Sequence, residues 1–123
     1  MFRSLLAGLT LFALVSSASA STPTLLTPLT IVPLDIATVT TGGTAVVALQ
    51  AGNKVSGGWI QNPVGAAAPL CINEFGTASG TTSAGSTTCI VAGAIYQLTP
   101  SIGSVSVVSS DSAHPFSGYG FKN

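Results

Sequence analysis

Short apolar runs separated by Gly, Pro, Ser and Thr follow one another along the chain from residue 35 onward. Many of the runs contain β-branched residues, and several alternate between apolar and polar positions, a pattern that is typical of strands. No segment after residue 20 shows the spacing of three and four residues that an amphipathic helix needs. Seven or eight short strands with regular turn signals predict an all-β fold, either a small antiparallel β-sandwich or a partly open barrel.

The pattern also predicts how these strands are connected. The predicted strands are 36–41, 45–49, 55–62, 70–75, 89–91, 94–98, 104–109 and 116–121. Gly42 and Gly43 predict a β-hairpin between the first two, because a two-residue hairpin loop needs residues with positive φ. Segment 76–88 contains only Gly, Thr, Ser and Ala, so we expect a loop with no anchor in the core.

Residues 1–20 have the pattern of a secretory signal peptide. Arg3 precedes an apolar run over 5–15, and Ala18-Ser19-Ala20 provides the small residues that signal peptidase accepts. The alternative is a retained membrane anchor, which needs about 18 or more apolar residues. Serines at positions 16, 17 and 19 end this run earlier, so we expect a cleaved signal helix and export to the periplasm or the extracellular space.

The mature chain is expected to begin at Ser21 and to contain one domain. Segment 21–34 carries Pro23, Pro28 and Pro33, and this density of proline predicts an extended arm. The β-domain then covers residues 35–123.

The chain carries very little charge. Charged residues make up 5% of it, against about 25% in an ordinary domain. The six charged residues are Arg3, Asp35, Lys54, Glu74, Asp111 and Lys122. So few cations argue against a nucleic-acid partner and, after signal cleavage, against a membrane surface.

Cys71 and Cys89 are the only cysteines, and both follow the signal peptide. They are equally distant from Gly80, so a hairpin folded there would pair them directly. Paired strand residues have the Cα separation that a disulfide tolerates, and an exported protein meets an oxidising environment. We therefore predict a Cys71–Cys89 disulfide, with two buried free thiols as the alternative. Two cysteines and a distant histidine are too few ligands for a metal site, so no metal or cofactor is expected.

The residues that could perform catalysis are scattered. Asp111, Ser112 and His114 are nearly adjacent and are interpreted as a turn, because a catalytic triad needs a scaffold that separates its members. Asp35 and Glu74 are interpreted as solitary surface acids. The chain is therefore not expected to be an enzyme.

The aromatic residues are the other candidates for binding. A stacking platform for sugars would need several of them exposed on one face of the domain. Trp59 lies between apolar neighbours and is expected in the core. Tyr119 and Phe121 alternate with glycines, and are expected either to cap the core or to contact a neighbouring subunit.

Four stretches, in order, carry a resemblance to a known group of proteins. They are TVTTGGTA at 38–45, WIQNP at 59–63, INEFGTA at 72–78, and VSVVS at 105–109 leading into HPF at 114–116. Over residues 36–117 the chain resembles small β-sandwich proteins of tailed-phage and prophage gene clusters. These are usually taken for accessory modules of the virion, and the resemblance implies a virion surface location and no catalytic residues. The signal peptide and the disulfide depart from that pattern and favour an exported relative.

The first functional hypothesis is a non-enzymatic, exported structural module that acts by protein–protein contact or self-assembly. The alternative is a secreted or periplasmic domain that binds a glycan or a peptide. The residues predicted for a contact surface are Gly76, Thr82, Gly85, Tyr119 and Phe121.

Overall fold

A computed structural model describes residues 27–80 and 82–123 of the chain. The predicted signal helix at 1–20 and the first part of the arm, 21–26, lie outside the described residues. Within the described residues the chain forms ten strands and no helix, and so has no helix able to cross a membrane. The strands are β1 (Thr30–Pro33), β2 (Thr38–Val39), β3 (Val46–Leu49), β4 (Gly58–Gln61), β5 (Leu70–Asn73), β6 (Thr87–Ile90), β7 (Ile95–Leu98), β8 (Val105–Ser109), β9 (His114–Pro115) and β10 (Ser117–Lys122).

The strands form two four-stranded antiparallel sheets and one short ribbon. Sheet I has the order β1-β10-β4-β7, sheet II has the order β3-β8-β5-β6, and β2 pairs with β9. The predicted all-β, antiparallel fold class is confirmed. The end of the segment that was predicted as an arm, Thr30–Pro33, is an edge strand paired with β10.

The core lies between the two sheets. Sheet I contributes Ile60 and Leu98, and sheet II contributes inward residues of β3, β5 and β8. Val39 of β2 and Phe116 close the side of the core near the ribbon. The buried residues of this cluster are Val39, Ala48, Leu49, Ile60, Leu70, Ile72, Leu98, Val105, Val107 and Phe116. Inward residues alternate with outward ones along β4, β5 and β8, whereas at an irregularity in β3 the consecutive residues Ala48 and Leu49 both belong to the core.

The predicted hairpin at Gly42 and Gly43 is wrong. The turn itself is present, since the Thr44 N–H donates to the Thr41 carbonyl at 3.0 Å and Gly43 has a φ of 75°. However, β2 pairs with β9 and β3 pairs with β8, so the turn connects different sheets. A hairpin is excluded because the free edge of β3 is already used: the Asp35 N–H donates to the Ala48 carbonyl at 2.9 Å.

The predicted disulfide is present, and it joins directly paired residues of β5 and β6 on the outer face of sheet II. The prediction that segment 76–88 has no anchor is wrong. Ala78 is buried against Cys71 and Val108, and its N–H donates to the Ser106 hydroxyl at 3.0 Å. Small side chains therefore let this segment lie directly on the sheet.

Candidate functional site

Lys54, in the connection between β3 and β4, is completely buried. Its ammonium group donates to Glu74 Oε1 at 3.0 Å, to the Thr99 carbonyl at 3.0 Å and to the Ser101 hydroxyl. An ammonium group has three donors, so all of its hydrogen-bonding capacity is used inside the protein.

Glu74 is the partner of Lys54, and the expectation of a surface acid is wrong for it. Its side chain is 1% exposed. In addition to Lys54, Oε1 accepts the Thr99 N–H at 2.8 Å, while Oε2 accepts the Tyr96 hydroxyl at 3.0 Å and the Thr99 hydroxyl at 3.2 Å. A signal for this burial was available, because alternation places Glu74 on the same side of the strand as the core residues Leu70 and Ile72.

Asp35, the other predicted surface acid, is exposed. Its Oδ2 accepts the Gln50 N–H at 2.8 Å. The two carboxylates thus have separate partners and do not form a catalytic pair.

Burial raises the pKa of Tyr96 above its ordinary value of 10.0, and the hydrogen bond to Glu74 and the negative charge of Glu74 raise it further. A bond with Thr88 acts in the opposite direction. Tyr96 therefore stays protonated as the donor to Glu74. The network of Lys54, Glu74 and Tyr96 is a closed structural unit that fixes the connections β3–β4, β5–β6 and β7–β8 relative to one another.

A cavity of about 410 Å³ lies beside this network. It is lined by Glu74, Phe75, Gly76, Ser101, Gly103 and Ser104. Phe75 is 76% exposed, so its ring stands at the edge of the cavity in contact with solvent. The carboxylate of Glu74 is directed into the network, and most of the exposed surface that lines the cavity is apolar.

His114 is buried in a separate polar cluster. Its Nε2 lies 2.9 Å from Asn62 Oδ1, and the Asn62 amide donates to the carbonyls of Ala68 and Ile90, each at 3.1 Å. Ser112 lies two residues before His114, and its hydroxyl accepts the Gly42 N–H at 2.9 Å. His114 and Ser112 thus have different partners and are not arranged as a triad. Ser112 lies in a turn as expected, but His114, which was also expected in the turn, is the first residue of β9. In the ranges 27–80 and 82–123, no group of three His, Cys, Asp or Glu side chains is placed to hold a metal ion.

Trp59 lies on the outer face of sheet I, so the expectation that it belongs to the core is wrong. Its neighbour Ile60 faces the core, and Trp59 itself is half-buried. Its ring lies 5.5 Å from the ring of Tyr119, at an angle of 71°. These two rings lie in a row of four directly paired residues, one from each strand of the sheet, which we call the aromatic row: Pro33, Tyr119, Trp59 and Gln97.

The residues predicted for a contact surface fall into two groups. Gly76, Thr82 and Gly85 are exposed and belong to the segment that covers the outer face of sheet II. Tyr119 is 43% exposed on the outer face of sheet I, where alternation also places Phe121. The two groups lie on opposite faces of the sandwich and do not form one surface.

One edge of sheet I is formed by β7. The hydrogen bonds between β4 and β7 show which backbone groups of β7 point away from the sheet. The Asn62 N–H donates to the Ala94 carbonyl at 3.1 Å, so this side of β4 bonds toward β7. Because backbone groups alternate between the two sides of a strand, the pair Ile60–Tyr96 is also hydrogen-bonded. The backbone N–H and C=O groups on either side of Tyr96 therefore point away from the sheet.

Those outward groups belong to Ile95 and Gln97, and both residues are exposed. In the described part of the chain, no other segment pairs with this side of β7. The strand contains no proline and no lysine, which are common protections of an edge. β7 is therefore an open edge.

The other three edges are protected. At β1, Pro33 removes one backbone donor. At β3, Asp35 bonds to both the Ala48 carbonyl and the Gln50 N–H. At β6, the Ser83 hydroxyl accepts the Cys89 N–H at 2.9 Å, and Ala84 forms a bridge with Thr87.

Comparison with known proteins gives no match to this chain among family models, curated proteins or solved structures.

Proposed function

We propose that the chain is an exported, non-catalytic interaction module that binds an extended polypeptide by strand addition at β7. The observation that carries this proposal is the difference between the four sheet edges, of which β7 alone lacks a covering segment or a proline in the described residues. A strand added there would bond to the N–H and C=O groups of Ile95 and Gln97. Such bonds supply affinity that does not depend on charge.

The low charge of the chain suits this kind of contact. Burying an ion in an interface costs several kcal/mol unless a partner compensates it. Of the two lysines after the signal segment, Lys54 is buried and Lys122 lies in β10, an inner strand of its sheet. A partner at β7 therefore meets neither of these charges.

Export is supported by two features. The disulfide is typical of proteins in oxidising compartments. The sequence of residues 1–20 has the order of a cleaved signal peptide. A location on a virion, as the phage resemblance implies, would be one use of such a module.

A non-catalytic role is supported by the bonding of the candidate residues. Glu74 accepts four hydrogen bonds and is excluded from solvent, and His114 is buried against Asn62. Neither is positioned to exchange a proton with a substrate at the surface.

The test uses two changes in β7. Peptides that bind the exported protein are selected from a random decapeptide library, and their affinities are measured by calorimetry. Gln97→Pro removes an outward N–H without touching a bond to β4, and Ile95→Lys places a charge at the edge. We expect each change to weaken binding of the selected peptides by at least tenfold. In the wild-type complex, the NMR signals of the backbone amides of Ile95 and Gln97 should shift when the peptide binds.

Ile31→Lys is the matched control. Ile31 is an exposed isoleucine on β1, the opposite edge of the same sheet, with 61% exposure against 53% for Ile95. It should leave peptide affinity unchanged. A library that yields no binder, or binders whose affinity is the same for wild type and both β7 variants, would show that β7 is not a binding edge.

A further inference from the structure

We propose that the aromatic row of sheet I is a binding site for a neutral oligosaccharide. The row consists of Pro33, Tyr119, Trp59 and Gln97, each directly paired with the next. Three inter-strand spacings of about 4.8 Å give it a length of about 14 Å. This length accommodates several sugar rings in succession.

Between Ser117 and Phe121, β10 places its larger side chains on this face. Tyr119 is flanked by Gly118 and Gly120, whose inward sides have no room for a side chain: a Cβ at Gly120 would collide with the Asn53 carbonyl, and one at Gly118 with the Trp59 carbonyl. The connection that contains Lys54 therefore lies directly beneath the strand. The backbone around Tyr119 is thus packed closely against residues on the inner side of the sheet, and this packing favours a site that is formed before the ligand binds.

The rings of the row offer the contacts that a sugar ring requires. A pyranose has an apolar face of C–H groups and a rim of hydroxyls. The apolar face can stack on an indole or phenol ring, and Trp59 and Tyr119 together present two rings held edge to face at 5.5 Å. The exposed fraction of Tyr119 is 43%.

The polar groups around the rings match hydroxyls and not ions. Gln97 ends the row with an amide that can both donate and accept hydrogen bonds. Gln61, on the same face of β4, carries a second amide. The row contains no Asp, Glu, Lys, Arg or His side chain. A charged ligand would therefore lose its hydration without gaining a counter-charge, so a neutral glycan is the class of ligand that fits.

Trp59 is the only tryptophan in the chain, so its fluorescence reports on this site alone. The exported protein is titrated with neutral hexasaccharides of glucose, mannose, xylose and N-acetylglucosamine, and with heparin as a charged probe. We expect a saturable change in Trp59 fluorescence with at least one neutral sugar and none with heparin.

Tyr119→Ala should weaken that binding by at least tenfold. The control is Phe75→Ala, which removes an aromatic side chain of 76% exposure away from the row; it should bind as the wild type does. Equal melting temperatures show that both variants are folded. The proposal is overturned if none of the four neutral sugars binds, if heparin binds as well, or if Tyr119→Ala and Phe75→Ala have the same effect. The row ends at Gln97 on β7, but Tyr119 is two strands away from that edge, so Tyr119→Ala tests the row separately from the strand-addition proposal.

Discussion

At the scale of the residue, the position of Lys54 shows how hydrogen bonds can fully satisfy a buried ion pair. Lys54 and Glu74 make six hydrogen bonds to each other and to neighbouring groups. Desolvation of two charges consumes most of the energy that such a pair provides. The main effect of the pair is therefore to orient the connections β3–β4, β5–β6 and β7–β8 relative to one another.

Lys54→Met is expected to lower the free energy of unfolding by about 3–5 kcal/mol, because it leaves the Glu74 carboxylate buried without a cation. The double variant Lys54→Met/Glu74→Gln should recover most of this loss, since an amide keeps hydrogen-bonding partners and carries no charge. Urea denaturation of the wild type, both single variants and the double variant measures the coupling. A loss of less than about 1 kcal/mol for Lys54→Met alone would contradict the assigned role of the pair.

Tyr96 makes the free energy of unfolding depend on pH in the alkaline range. Because its pKa is raised in the folded protein, the native state holds the phenol proton at pH values where an unfolded tyrosine, with a pKa near 10, has lost it. The stabilisation is complete below about pH 10 and is lost as pH rises through the pKa of the folded state.

Tyr96→Phe should therefore cost about 1.5–3 kcal/mol at pH 8, as expected for the loss of a hydrogen bond to a charged group. The difference in unfolding free energy between wild type and variant should shrink as pH rises above about 10. Urea denaturation of both proteins between pH 8 and 11 measures it. A difference that stays constant or grows over this range would refute the assignment.

At the scale of the element, the connection between β5 and β6 is held by two kinds of interaction. The disulfide closes the hairpin at its base, and Ala78 anchors the connection on the outer face of sheet II. The disulfide removes about 3 kcal/mol of chain entropy from the unfolded state.

Replacing both cysteines with serine should lower the melting temperature by about ten degrees or more, at about 4–8 °C per kcal/mol. Ala78→Gly should cost about 1 kcal/mol more than Ala84→Gly, since the backbone effect of glycine is similar but only Ala78 buries its methyl group. Thermal denaturation of the three variants tests both statements. Equal melting temperatures for the two glycine variants would show that packing does not anchor the segment.

At the scale of the whole molecule, a sandwich with almost no charge has to protect its edges by other means. Lysine on an edge strand is a common protection, but neither Lys54 nor Lys122, the two lysines of the chain, lies on one. Instead, short neighbouring segments bond to β3 and β6, and Pro33 ends β1. β7 is therefore open because no neighbouring segment of the described chain folds over it, as segments do at β3 and β6. The composition of the strand alone does not reveal this.

The sequence by itself determined the strand character of the chain, because an alternating apolar pattern fits one buried sheet face and no helix. It also determined the pairing of Cys71 with Cys89, since both lie on strands joined by a single local connection whose midpoint is Gly80. These are local properties, in which the residues that interact are close in sequence or are fixed by a covalent bond.

Tertiary structure alone decided the remaining features. Gly42 and Gly43 form a turn whether or not the flanking strands pair, so only the competing partners of β2 and β3 show that they belong to different sheets. The side chains of Trp59 and Tyr119 meet because two strands far apart in sequence lie side by side. The burial of Lys54 likewise depends on Glu74 and Ser101, which come from other connections. In each case the deciding interaction is long-range, and a local pattern carries no information about which distant residue will supply it.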